Sequence, residues 1–141
     1  MSLSASREIE RPPEKVWQVV VVHHVRNHPH WDPRMSLEQV TDGPIGLGTR
    51  IRRRHTRTGA PIEGTMEVVD FDPPHAFGVL IRDETPEGSL EVRSRMTLGA
   101  RGAGRTRLTI EVQLPGPAAS MDPSMLEDSL GRMKELIESE T

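Results

Sequence analysis

The chain has 141 residues, 34% hydrophobic and 28% charged, with a net charge of −3, two Trp, two Phe and neither Cys nor Tyr. That length suits one domain, read over 1–141, and no apolar run approaches the ~20 residues of a membrane-spanning helix. Disulfides, thiolate chemistry and a phenolic acid or base are excluded, and the near-neutral charge argues against a nucleic-acid partner.

Residues 4–10 alternate loosely and predict a first strand. Pro12-Pro13-Glu14 then marks a helix start, since proline in the first turn lacks only a donor that has no partner there anyway. Val16, Trp17, Val20 and Val21 give that helix one apolar face. Residues 23–33 are polar and predict a short second helix or turn ending at Trp31-Asp32-Pro33. From Ser36 the pattern has period two, with strands expected over 37–40, 48–58, 62–71, 75–83, 90–98 and 106–114. The turns between them are short, which implies an antiparallel meander. After Pro115-Gly116-Pro117 a helical stripe returns in Met125, Leu126, Leu130, Met133, Leu136 and Ile137, with Asp122 as N-cap and Pro123 at the first helical position.

One long helix cannot cover seven flat strands, so the sheet is expected to curl around it in an α+β fold, leaving core or cavity between them. Parity turns Leu47, Ile51, Arg53 and His55 inward, with Ile62, Gly64, Met66 and Val68 on the next strand. Phe77, Val79 and Ile81, then Leu90, Val92, Ser94, Met96 and Leu98, and finally Leu108, Ile110, Val112 and Leu114 complete the inner face. The outer set is rich in Arg and Glu, which would pair across strands for roughly 0.2–1 kcal/mol each.

Four segments carry a family resemblance. Ile9-Glu10-Arg11-Pro12-Pro13-Glu14-Lys15-Val16-Trp17 resembles the opening of the START-like (SRPBCC) superfamily in its bacterial polyketide cyclase/dehydrase-related branch. Trp31-Asp32-Pro33, Gly46-Leu47-Gly48-Thr49-Arg50 and Val68-Val69-Asp70-Phe71-Asp72-Pro73-Pro74 are similar to that family's later turns. The resemblance implies a helix-grip fold, with a seven-stranded sheet around the C-terminal helix and two short helices between strands one and two. It also implies an internal cavity of the kind that takes lipids, sterols or polyketides in some members and hosts cyclase or aromatase chemistry in others. The matching positions are turns and packing sites, so no catalytic residue carries over.

Arg53 and His55 are the sharpest chemical feature, because a buried guanidinium is costly unless paired. They are candidate polar anchors, or an enolate-steadying cation and a general base. A bulge near Arg52-Arg53-Arg54 would instead turn both outward. His24 and His28 have the i, i+4 spacing of metal ligands, but Pro29 interrupts the helix that spacing presumes and a third ligand is not evident. Polar decoration of a helix end is the expectation there. Gly64 and Gly131 each remove a side chain where the grip should be tight, leaving room for a ligand or a close contact.

The leading expectation is a cytoplasmic protein (no charged-then-apolar leader opens the chain) that binds a small apolar or amphipathic molecule without a cofactor, a metal or an integral membrane attachment. Trp31, Ile51, Met66, Val68, Phe77 and Val92 would line the cavity, with Ser94, Met96, Ile110, Met125 and Leu126, and with Arg53 and His55 as anchors. A cyclase- or dehydratase-like enzyme using His55 and Arg53 is the alternative. A homodimeric interaction module without ligand is a third.

Overall fold

A computed structural model describes residues 2–56, 59–115 and 123–140. β1 (Ser2–Ile9) leads into α1 (Pro13–Trp17), a π-helical turn (Gln18–Val22) and α2 (His24–Trp31). Six strands follow: β2 (Met35–Gln39), β3 (Arg50–His55), β4 (Ile62–Asp72), β5 (Ala76–Thr85), β6 (Gly88–Ala100) and β7 (Thr106–Gln113). The chain then forms α3 (Pro123–Ser139). The strands make one antiparallel sheet in the order β1-β7-β6-β5-β4-β3-β2, so the expected meander is extended by β1 lying along β7. The expected Asp122 cap lies outside the described residues.

α3 packs Leu126, Leu130, Met133 and Ile137 into the core, at spacings of four, three and four residues. Beneath it lie the inner residues of the sheet and the α1 side chains Val16 and Trp17. The C-terminal end of α3 is fastened to the β1–α1 connection. Glu138 accepts the Glu10 backbone N–H through its carboxylate and the Arg11 guanidinium through its carbonyl. Midway along α3 Arg7 reaches over Gly131, whose missing Cβ would stand 2.9 Å from Arg7 Nη1. On the outer face, Arg52 meets Glu38 at 3.1 Å, Arg82 meets Glu91 at 2.8 Å and Arg95 meets Asp70 at 2.7 Å.

Three expectations need correction. Leu47 does not face inward: it lies in the loop before β3 and is 72% exposed. The bulge falls not in β3 but in β4, between Val68 and Asp70, and it turns Phe71 to the same face as Phe77, its partner on β5. Pro29 does not end the second helix either, since α2 runs through it to Trp31, with both His24 and Trp31 anchored by burial.

Candidate functional site

β3 alternates without interruption, exposing Arg50, Arg52 and Arg54 and burying Ile51, Arg53 and His55. The two polar side chains therefore point into the fold. Strand register then brings a partner that sequence reasoning missed. Leu37, Arg53, Gly64, Asp83 and Leu90 stand side by side across β2 to β6. Because Gly64 has no side chain, the Arg53 guanidinium crosses that position and meets Asp83 beyond it. Arg53 Nε lies 3.0 Å from Asp83 Oδ1 and Nη2 donates to Oδ2 at 3.2 Å. His55 Nε2 approaches Asp83 Oδ2 at 3.4 Å. All three side chains are buried. The signal for Asp83 was present in the sequence, since the inward series Phe77, Val79, Ile81 continues to it by steps of two.

A second polar group sits under α2. His24 is buried rather than decorating the helix end, and its Nδ1–H donates to the Val20 carbonyl at 2.8 Å. That bond fixes Nε2 as an acceptor, and His28 Nδ1–H donates to it at 2.9 Å. Asn27, also buried, donates to the Val19 carbonyl at 2.9 Å. The π-helical turn thus offers two carbonyls to side chains of the following helix. Two aromatic residues flank His24, and the other two join them through Phe77. Trp31 and Phe77 lie 5.7 and 5.4 Å from its ring, and Trp17 contacts Phe71 and Phe77 edge-on. Among the described residues no three His, Asp or Glu side chains gather as a metal site would require.

Burial, and then the nearby Arg53 charge, lower the His24 pKa from 6.5 to about 4, against the opposing effect of its Val20 bond. The unfolded chain therefore takes up a proton at higher pH than the native protein does. The stability this provides is complete above pH 6.5 and is lost as the pH falls to about 4. The loss should reach about 3 kcal/mol. Denaturant unfolding across that range measures it, and His24→Phe should flatten this limb. An equally steep limb in the variant would assign it to other groups.

The remaining candidate residues fall into two groups. Ile51, Met66, Val68, Phe77, Met96 and Ile110 are buried in the sheet's inner face, with Trp31 and Leu126 packed over it. They are at most 7% exposed, so the inner side chains close on one another there. Val92, Ser94 and Met125 are only half-buried. Two hollows formed by described residues lie elsewhere. One of about 240 Å³ is bordered by Val69, Asp70, Arg93 and Arg95, the other, of about 390 Å³, by Arg52, Glu63, Arg82 and Glu84. Both open on the charged outer face, among side chains largely engaged in ion pairs.

A search among curated protein sequences gives no significant match. Solved structures give many. Protein MLL2253 from Mesorhizobium loti superposes with a TM-score of 0.73 at 18% identity, covering 100% of this chain and 99% of that one. Ara h 8.0201 gives the same TM-score at 16% identity, covering 99% and 98%. DynU16, from the dynemicin biosynthetic locus, gives 0.68 at 21% identity, with this chain spanning 98% of itself and 47% of that larger protein. These likenesses establish the fold, and the family model for polyketide cyclase/dehydrase and lipid transport proteins matches residues 1–138. The chain belongs to that family, within the SRPBCC superfamily, and has its helix-grip fold.

Proposed function

We propose that the protein binds a small apolar or amphipathic molecule between the inner face of the sheet and α3. Arg53, Asp83 and His55 would be the polar end of the site. The observation that carries this reading is the buried polar trio, with an Arg53–Asp83 ion pair, on an otherwise apolar inner face. Isolated ion pairs in a core are no better for stability than apolar side chains of the same volume, so a retained one points to use. The aromatic packing is concentrated under α1 and α2, while the trio's neighbours in the sheet are Leu37, Leu90 and Ile62. Leu90, Val92, Ser94 and Met125 are half-covered, and the ligand would enter among them.

The neutral dye N-phenyl-1-naphthylamine tests this. Saturable fluorescence enhancement is expected, weakened by at least about tenfold in Val92→Trp, which fills the entrance. Unsaturable binding, or equal affinity in a folded variant, would overturn the reading.

A second reading has one observation in its favour. The Asp83–His55 contact is the carboxylate–imidazole arrangement that orients a general base, with Arg53 available to steady an enolate. It requires turnover of a bound carbonyl compound that His55→Ala abolishes.

A further inference from the structure

We propose that Ser94 selects the ligand by an oxygen atom: the molecule held under α3 carries a hydroxyl or carbonyl group on its apolar body, and the Ser94 hydroxyl bonds to it. This rests on the binding reading above and adds the class of ligand.

Strand register aligns Leu3, Val112, Ser94, Val79 and Val68 in one row across β1, β7, β6, β5 and β4. Alternation on β6 exposes Glu91, Arg93 and Arg95 and turns Ser94 to the inner face, between Val92 and Met96 along the strand. Its neighbours in the sheet are therefore apolar on every side. Val79 and Val112 beside it are at most 5% exposed, whereas Ser94 is half-buried. Among the described residues nothing hydrogen-bonds the Ser94 hydroxyl. A valine would continue the row, and alanine would serve if only a small side chain were needed. Packing of the sheet thus does not account for the hydroxyl.

Water can bond a half-buried hydroxyl, but an apolar molecule lying along the inner face would cover it and leave it without a partner. That penalty falls on a hydrocarbon and not on a ligand with an oxygen at the same point. A site with a polar group of its own rejects analogues that lack the matching one for this reason. Because serine both donates and accepts, an alcohol or a ketone meets the requirement. The Arg53–Asp83 pair lies too far away to bond the same atom. Asp83 stands four residues along β5 from Val79, about 13 Å at the rise of a strand, with the Ile81–Val92 pair between.

The test is competition against N-phenyl-1-naphthylamine with a pair of matched shape, 2-naphthol and 2-methylnaphthalene. The unmodified protein should bind naphthol at least as tightly as the hydrocarbon, although burying a hydroxyl without a partner would weaken it by about tenfold or more. In Ser94→Ala the ratio of the two affinities should shift at least about fivefold toward methylnaphthalene. Ser94→Thr, which keeps the hydroxyl, should hold the parent ratio. The comparison in the unmodified protein keeps the test decisive if a variant fails to fold. Tighter binding of methylnaphthalene by the unmodified protein overturns the role of Ser94 while leaving the pocket in place. So does a smaller shift in folded Ser94→Ala, the same shift in Ser94→Thr, or displacement of the dye by neither compound. Failure of the dye itself to bind saturably removes the binding reading, and this inference with it.

Discussion

Replacing Gly64 by alanine should destabilise the protein by about 3–5 kcal/mol, although only a methyl group is added. A Cβ at this position would stand 2.2 Å from Asp83 Oδ1, 2.5 Å from the Arg82 carbonyl oxygen and 2.9 Å from the Asp83 Cα. Two of those atoms are backbone of the paired strand, so relief requires moving β5 away from β4 or swinging the carboxylate out. Either movement pulls Asp83 from Arg53 and parts a buried ion pair. Gly131→Ala is the contrasting control. Its Cβ would meet only the tip of Arg7, a flexible side chain, and the helix gains about 1 kcal/mol of propensity. The denaturant midpoints of the two variants should therefore move in opposite directions. A Gly64→Ala protein within about 1 kcal/mol of the parent would mean that the strands there yield easily, contrary to the packing described.

The same two glycines mark where sequence reading stops. Both were recognisable as deletions of a side chain on inward faces, but what fills each deletion depends on register, and periodicity carries none. Parity on β3 placed Arg53 and His55 correctly because alternation is a property of one strand. Asp83 belongs to the same site through a neighbour two strands away, and that relation appears only once β3, β4 and β5 are aligned. The bulge in β4 is illegible for a related reason. Val68-Val69 reads as two apolar residues in sequence, and only the pairing shows that Val69 is the extra one. Leu47 misled because an apolar residue before a strand was counted as part of it. His24 misled in the opposite sense, since a polar residue in a polar run gives no sign that a π-helical turn will offer it a buried carbonyl. The C-terminal helix and the meander of β2 to β7 were legible because they rest on a long repeat and on short turns, whereas the pairing of β1 with β7 rests on neither.

Asp83→Leu should cost about 3–5 kcal/mol, the penalty for leaving a buried guanidinium without its carboxylate. Arg53→Met in the same background should recover most of that loss, or exceed the parent, because a well-packed apolar pair avoids the desolvation cost of both ions. Chemical denaturation of the two single variants and the double variant forms a cycle, and a coupling of at least about 2 kcal/mol is expected between side chains in direct contact. Additive effects would mean that the two charges are solvated in solution. His55 has a defined place in this cycle. With Asp83 gone its Nε2 loses the carboxylate 3.4 Å away, and the double variant still buries a polar ring. Recovery should therefore be larger when His55→Leu is added than when it is retained. A core that grows more stable as its charged residues are removed has kept them against the interest of folding.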